Sequence, residues 1–242
     1  MSFVTFQLPF DKYVLKGDRY RKTCDTLVLH GAGKSSRIRF SRLRESLNGN
    51  GIPSSSFDFI GHGETGGDIS DSTLHGRTDQ AAAVIRHTCI EPITLIAASM
   101  SGYTAIKLTE VFAVSNLILL VPAVYTPRAY DLSFGPEFSA AIRTPGSWRD
   151  SDAFCIISGF KGNLLVIAAE VDDVIPMALI ERIYSSAENA RSRHFHIVPN
   201  SRHLSLFPKE QDFIVVLNMI IDVWRKGCDN NPVQATPKTS AS

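Results

Sequence analysis

The sequence is poor in cysteine and has almost no excess of charge. Its four cysteines, at positions 24, 89, 155 and 228, are far apart, so their spacing indicates neither a structural zinc site nor a disulfide framework. The formal net charge of +1 argues against nucleic acid as a main partner, because such proteins usually present a strongly basic surface. The sequence also lacks a signal-peptide pattern and an apolar run as long as a membrane span. We therefore expect a soluble protein in a reducing, cytoplasmic compartment.

Clustered histidines and long basic runs are also missing. The seven histidines are scattered along the chain, which gives no indication of a metal site. Basic residues group only at 16–22 and 37–44, and we expect both groups to lie on solvated faces.

Strand and helix patterns alternate from residue 25 to residue 226. Apolar runs typical of buried strands occur at 25–30, 54–60, 93–98, 116–121, 163–169 and 194–198. Helical patterns follow them, ending near Asn48, His87 and Phe112, and then covering 176–187 and 209–226, with Ser35 or Ser36 and residues 71–73 as candidate N-terminal caps. Such alternation predicts a mostly parallel sheet covered by helices on both faces.

Three regions lie outside this alternation. A hairpin is predicted at 3–8 and 12–15, before the first parallel strand. The segment at about 125–162 is rich in proline and aromatic residues, and we interpret it as a short lid insertion. Residues 227–242 are polar and are predicted to be a disordered tail. The sequence thus predicts one α/β domain over residues 1–226.

The stretch around Ser99 is the most informative part of the chain. The apolar run 93–98 leads into the small residues Ala97, Ala98, Ser99, Ser101 and Gly102, and a helical pattern follows. A sharp bend from strand to helix needs small residues, and a serine at its tip projects its hydroxyl beside a helix N-terminus. The pattern is similar to G-x-S-x-G, with Ala97 and Ser101 in place of the glycines. From these residues alone, Ser99 is either a nucleophile or simply a small residue at a junction.

Polar residues follow three other strands. They occur at His30–Gly33, at 170–176 and at 199–203. In parallel sheets, ligands bind at the carboxyl ends of the strands. A serine hydroxyl needs a base to take its proton and an acid to orient that base. A serine, an aspartate and a histidine after successive strands would supply all three groups.

Gly33-Lys34-Ser35 offers a competing interpretation, because it resembles the end of a phosphate-binding loop. That motif requires a glycine five residues before Gly33, where this sequence has Val28. The phosphate-loop interpretation is therefore disfavoured.

Five segments in the expected order resemble the α/β-hydrolase fold serine hydrolases, over residues 25–226. Asp58–Glu64 is similar to the family's D-x-R-G-H-G-x-S loop, and Ser201-Arg202-His203 is similar to its G-x-G-H. The other three segments are His30-Gly31, the bend at Ser99, and Asp172–Pro176. Thr65 replaces the serine of the first motif, and Ser201 and Arg202 replace residues of the second.

The resemblance implies a role for each matching residue. Ser99 would be the nucleophile, His203 the general base and then acid, and Asp172 the acid that orients His203. The backbone amides of Ala32 and Met100 would form the oxyanion hole. No metal and no organic cofactor is implied.

Several neighbouring residues are alternatives for these roles. Asp173 is an alternative to Asp172, and His196 to His203. We expect His30 and His62 to support loop structure by hydrogen bonding rather than to transfer protons. The aromatic residues of 125–162 either pack in the core or form an acyl pocket.

The implied function is cleavage of a carboxylic ester or thioester, with a small-molecule acyl substrate and an acyl-enzyme on Ser99. Acyl transfer, and hydrolysis of an amide or a C–C bond, remain open on the same triad. A non-catalytic member of the fold that binds a ligand or partner is a further alternative. The sequence does not predict the oligomeric state.

Overall fold

An eight-stranded sheet forms the centre of the molecule in a computed structural model that describes residues 3–228. The strands are β1 (Val4–Phe10), β2 (Tyr13–Arg19), β3 (Cys24–Leu29), β4 (Ser54–Phe57), β5 (Cys89–Ala98), β6 (Val114–Leu120), β7 (Asn163–Ala169) and β8 (Ser192–Val198). Their order in the sheet is β1-β2-β4-β3-β5-β6-β7-β8. The pairs β1–β2 and β2–β4 are antiparallel, and the other neighbours are parallel.

Helices cover both faces of this sheet. They are α1 (Ser41–Gly49), α2 (Leu74–Thr88), α3 (Ser101–Leu108), α4 (Pro136–Arg143), α5 (Ala153–Ser158), α6 (Met177–Ser186) and α7 (Glu210–Cys228). Because side chains alternate along a strand, Leu95 and Ala97 of β5 pack towards α2 and α3, whereas Ile96 and Ala98 pack towards α1 and α7. The mostly parallel sheet with helices on both faces is thus confirmed.

Most predicted elements are present, with shifted ends. The N-terminal hairpin pairs Val4 with Arg19 and is longer than predicted. Strand β7 has the predicted bounds, whereas β4 ends at Phe57 because a tight loop begins at Asp58. The predicted cap of α2 is Thr73, whose Oγ1 accepts a hydrogen bond of 2.8 Å from Gly76 N.

The start of the first helix differs from the prediction. The chain enters it through a 3₁₀ turn at Arg37–Phe40, and α1 begins only at Ser41. Ser36 stands before that turn but its side chain makes no capping bond, and the buried Ser35 hydroxyl has no partner within residues 3–228. The prediction that Ser35 or Ser36 caps this helix was therefore wrong.

The two groups of basic residues also differ in part from the prediction. Arg39 and Arg42 are exposed as expected, but Arg37 and Arg44 are buried. Arg37 binds Asp18 and Asp58, and Arg44 binds Asp18. Carboxylates on β2 and in the loop after β4 therefore allow both guanidinium groups to be buried, a result that local sequence does not reveal.

The insertion at 125–162 packs largely in the core. It contains α4, α5 and two 3₁₀ turns, and its buried aromatic residues are Phe134, Phe138, Phe154 and Phe160. Backbone bonds from His75 N to Tyr130 O and from Phe134 N to Ser72 O tie it to the start of α2.

Two other observations concern the ends of the fold. Residues 227 and 228 belong to α7, and the rest of the predicted tail lies outside the described residues. Within residues 3–228, no helix has both the length and the hydropathy that crossing a bilayer requires.

Candidate active site

Ser99 lies at the bend between β5 and α3 in a left-handed backbone conformation, with φ at +53°. This conformation is uncommon for a residue with a side chain and costs free energy. Three backbone bonds hold it: Ser99 N donates to Leu120 O at 3.0 Å, and Ser99 O accepts from Gly102 N at 2.8 Å and from Ala123 N at 3.0 Å. The sharp bend therefore forms with Ala97 and Ser101 in place of the two glycines.

The glycine that this bend requires is Gly102, one position after Ser101. A Cβ on Gly102 would lie 2.8 Å from Pro122 Cβ, so no larger residue fits without movement. Ala97 and Ser101 are both fully buried, and the packing accommodates their small side chains.

His203 connects Ser99 to Asp172. Its Nε2 lies 2.9 Å from Ser99 Oγ, and its Nδ1 lies 2.9 Å from Asp172 Oδ2. Both side chains are buried, with His203 5% and Asp172 2% exposed. The three residues predicted from sequence thus form one continuous hydrogen-bonded chain.

Asp172 is held as a carboxylate. Its Oδ1 accepts bonds from Val174 N at 2.9 Å and from Ile175 N at 2.8 Å. Burial acts to raise the pKa of Asp172, but the hydrogen bonds from His203, Ile175 and Val174 outweigh it, so the pKa is lowered. A carboxylate in this state keeps a proton on His203 Nδ1 and leaves Nε2 free to accept one.

The alternative acid and base lie elsewhere. Asp173 is exposed, and the carboxylate that reaches His203 belongs to Asp172. His196 lies within β8, where it pairs with Ile167, while His203 is the histidine bonded to Ser99.

Bonds between two loops place Asp172 beside His203. Val171 N donates to Ser201 O at 2.9 Å, and Glu170 N donates to Ser201 Oγ at 3.3 Å. Ser201 Oγ in turn donates to Val198 O at 2.7 Å. Ser201, at the variable position of the resembling motif, therefore joins the loop after β7 to the loop after β8.

The two amides proposed for the oxyanion hole flank Ser99. Met100 is the next residue in the chain, and Ala32 follows Gly31, where a Cβ would lie 3.0 Å from Ser99 Cβ and 3.6 Å from Ser99 Oγ. Glycine at position 31 permits this close approach, because an added Cβ would crowd Ser99. Within residues 3–228, neither amide donates a hydrogen bond to a protein acceptor.

His30 and His62 bond to the backbone. His30 Nδ1 donates to Gly31 O at 2.7 Å, and its Nε2 accepts from Phe59 N at 3.2 Å, an arrangement that requires a neutral ring. Burial, with the nearby Arg77 charge, holds the pKa of His30 well below its usual value and also lowers the pKa of His62. His62 Nδ1 lies 3.2 Å from Ile60 O. These contacts fit the expected role in loop structure.

The loop at Asp58 is built around its carboxylate. Asp58 accepts hydrogen bonds from Arg37 N at 2.7 Å and Glu64 N at 3.0 Å. Thr65 Oγ1 donates to Asp58 O at 2.6 Å, so the threonine supplies a hydroxyl where the resembling motif has serine.

The segment Gly33-Lys34-Ser35 does not form a phosphate loop. It leads into a 3₁₀ turn, and the Arg37 amide at the start of that turn already donates to the Asp58 carboxylate. Among residues 3–228, no cluster of histidine, cysteine, aspartate or glutamate could hold a metal ion.

A pocket of about 400 Å³ opens at Ser99 and His203. Its other lining residues come from the segment before α1, the strand ends and the loop before α7: Gly31, Ala32, Lys34, Ser35, Arg39, Phe40, Ala98, Leu120, Val121, Val174, Leu204, Leu206 and Phe207. Among the described residues, none of those at 125–162 lines it. The acyl-pocket interpretation of the insertion's aromatic residues therefore has no support here.

This pocket and the buried cation Arg77 were not predicted from the sequence. Phe40, Leu206 and Phe207 carry no motif. Arg77, in contrast, had a detectable signal, because it stands one helical turn before Ala81 on the face of α2 that packs in the core.

Comparison with known proteins identifies the fold. No family model matches the sequence, and no curated protein matches it in sequence. Solved structures do match. An esterase of Pyrococcus furiosus is 18% identical with a TM-score of 0.70, covering 93% of this chain and 92% of its own. Est1E of Butyrivibrio proteoclasticus, solved with ferulic acid bound, is 16% identical with a TM-score of 0.68, covering 91% of this chain and 99% of its own. The thioesterase domain from the curacin biosynthetic pathway is 12% identical with a TM-score of 0.68, covering 91% and 100%. The chain has the α/β-hydrolase fold.

Proposed function

We propose that the protein is a serine hydrolase that cleaves a carboxylic ester or thioester through an acyl-enzyme on Ser99. The observation that carries this proposal is the chain of two 2.9 Å contacts from Ser99 Oγ through His203 to Asp172. It stands at the mouth of a pocket, with Ser99 at the tip of a strand-to-helix bend. This combination activates a serine hydroxyl.

The first half-reaction forms the acyl-enzyme. His203 Nε2 takes the proton of Ser99 Oγ as that oxygen attacks the substrate carbonyl carbon. The carbonyl oxygen becomes an oxyanion, which the amides of Ala32 and Met100 stabilise. His203 then gives its proton to the departing alcohol or thiol, and Asp172 stabilises the transient imidazolium.

The second half-reaction regenerates the enzyme. His203 takes a proton from water as the water oxygen attacks the acyl carbon. The tetrahedral intermediate collapses, Ser99 recovers its proton from His203, and the free acid leaves. These steps use only groups of this chain and water.

The pocket favours an apolar acyl group of modest size. Phe40, Leu206 and Phe207 contribute apolar walls. Two residues at its rim, Val174 and Leu204, are large hydrophobics that are 56% and 75% exposed, so a bound acyl chain could cover them. Two of the similar structures, an esterase and a thioesterase domain, agree with this substrate class.

Intact-mass spectrometry after incubation with a fluorophosphonate tests the proposal. Wild type should gain one adduct, and Ser99→Ala should gain none. Ser35→Ala is a matched control, because Ser35 lines the same pocket and its variant should still be labelled. Folded wild type that gains no adduct would contradict the proposal and favour a ligand-binding role. If wild type gains the adduct, assays with a butyryl ester and the matching butyryl thioester separate the two substrate types.

A further inference from the structure

Arg77 on α2 is a fully buried cation without an acidic partner. Its side chain is 0% exposed, and no carboxylate within residues 3–228 forms an ion pair with it. Its Nε and Nη1 atoms are buried without hydrogen-bond partners in this part of the chain. The guanidinium stacks on Phe59, 3.7 Å from the ring centroid. Burying an unpaired charge is costly, so its position requires an explanation.

The bonds that Arg77 does make all converge beside Ser99. Its Nη2 donates to His30 O at 2.9 Å and to Ser101 Oγ at 2.9 Å, with a longer contact of 3.4 Å to Gly31 O. Ser101 Oγ donates to His30 O at 2.6 Å. One guanidinium nitrogen therefore joins the bend that carries Ser99 to the loop that carries Ala32.

Gly31 O and Ala32 N belong to the same peptide group. In a trans peptide the C=O and N–H point in opposite directions, so fixing the oxygen also fixes where the N–H points. Gly31 O accepts the 2.7 Å bond from His30 Nδ1 and faces Arg77 Nη2. Bonds to a carbonyl oxygen also polarise the N–H of the same peptide, which makes it a stronger donor.

The buried charge adds to this effect. Burial lowers the pKa of Arg77 to about 9, which leaves the guanidinium charged at neutral pH. In a site of low dielectric, a fixed positive charge behind the donors favours negative charge in front of them.

We propose that Arg77 and Ser101 are positioning residues for the oxyanion hole, which hold the Gly31–Ala32 peptide so that its N–H faces the developing oxyanion. The serine that replaces a glycine of the bend motif would thus have a function of its own, as the hydroxyl that links the bend to the loop. This inference rests on the proposed serine hydrolase function.

Kinetics with a matched inhibitor distinguish positioning from mere structural support. The variants are Arg77→Met, Arg77→Lys and Ser101→Ala, each checked for folding by circular dichroism. The first measurement is kcat and KM with p-nitrophenyl butyrate. The second is Ki for a propyl trifluoromethyl ketone, because attack by Ser99 turns its carbonyl oxygen into the oxyanion of a hemiketal.

Two control variants match the chemical changes. Arg44→Met removes another buried arginine, which binds Asp18 instead of the loop at Gly31. Thr104→Val removes a buried hydroxyl one turn along α3 that has no partner within residues 3–228. Both controls should leave kcat and Ki within about twofold of wild type, because neither side chain hydrogen-bonds to the loop at Gly31 and Ala32 within residues 3–228.

Loss of one oxyanion donor costs about 10²–10³-fold in kcat, so loss of its support should cost no more than the lower end of that range. We expect Arg77→Met to lower kcat about 100-fold and to raise Ki by a similar factor, with KM unchanged. Arg77→Lys should recover about tenfold of that loss by restoring the charge, and Ser101→Ala should lose about tenfold.

Wild-type kcat and Ki in both Arg77→Met and Ser101→Ala would overturn the inference, while a fluorophosphonate adduct on Ser99 would still support the proposed function. If Arg77→Met does not fold, Ser101→Ala alone decides by its Ki. A wild-type protein that binds neither fluorophosphonate nor the ketone would overturn both proposals.

Discussion

Ser99 Oγ lies 2.9 Å from His203 Nε2, although 104 positions separate the two residues in the chain. Ser99 follows β5, and His203 follows β8, which lies three places further along the sheet. The contact therefore depends on the loop after β8 folding back over the ends of β6 and β7. Asp172 lies on that path, because it follows β7 and binds the far side of the same imidazole.

The first prediction concerns Asp172. Asp172→Asn should keep the shape of the site but remove the carboxylate that selects the Nδ1–H tautomer of His203. By comparison with the aspartate of serine protease triads, kcat should fall by about 10⁴. The measurement is kcat with p-nitrophenyl butyrate at pH 7.5.

Asp173→Asn is the matched control, since Asp173 is adjacent in sequence but exposed. It should retain activity within about twofold. A larger loss of kcat in Asp173→Asn than in Asp172→Asn would show that Asp173, and not Asp172, is the acid that orients His203.

The second prediction concerns the strain at Ser99. At its φ of +53°, alanine is disfavoured, whereas glycine is not. Ser99→Gly should therefore be more stable than Ser99→Ala by about 1 kcal/mol, since left-handed strain of about 1–3 kcal/mol exceeds the smaller entropy cost of glycine. Urea denaturation of the two inactive variants measures the difference.

Ser101 provides the comparison, because it lies in the right-handed conformation of α3. There, glycine should be less stable than alanine by about 1 kcal/mol. The same order of stability at both positions would contradict a strained conformation at Ser99.

The sequence pattern predicted the sheet, and the resemblance to the α/β-hydrolase fold serine hydrolases singled out Ser99, Asp172 and His203. Buried parallel strands are continuous apolar runs, and each of the three residues follows one of them, so all three lie at one edge of the sheet. Strand β7 had the predicted bounds for this reason.

The parts that were not predicted depend on contacts between distant segments. Arg37 and Arg44 are buried because Asp18 on β2 and Asp58 after β4 bind them, whereas local composition suggested an exposed face. The pocket combines Phe40 with Phe207, two residues with no pattern in common. The start of the first helix was displaced because the Asp58 carboxylate binds the Arg37 amide.

The third prediction concerns the acyl chain. Each methylene buried in the apolar pocket should raise kcat/KM by up to about fourfold, from about 0.8 kcal/mol per CH₂. This increase should continue from acetyl to butyryl p-nitrophenyl esters. Phe207→Ala should flatten it, because that side chain forms part of the wall.

Phe195→Ala is the control for this series. Phe195 packs on Tyr184 with ring centroids 5.5 Å apart and does not line the pocket. It should alter stability but leave the dependence on chain length unchanged. An equal slope in wild type and Phe207→Ala would show that the acyl group binds elsewhere.

The fourth prediction concerns the pH dependence of stability through His30. Its pKa is held well below 6.5 by burial and the Arg77 charge, so between that lowered value and about 6.5 the unfolded state binds a proton that the folded state does not. Stability must then rise with pH in this window and be lost as pH falls below about 6.5, by up to about 1.4 kcal/mol per pH unit for one such group.

His30→Gln can still accept a hydrogen bond from the Phe59 amide but cannot be protonated, so its free energy of unfolding should depend less steeply on pH between 4.5 and 6.5. His87→Gln, at an exposed position, should keep the wild-type slope. Urea denaturation at several pH values measures all three slopes, and a His30→Gln slope equal to that of wild type would mean that the His30 ring does not resist protonation in the folded protein.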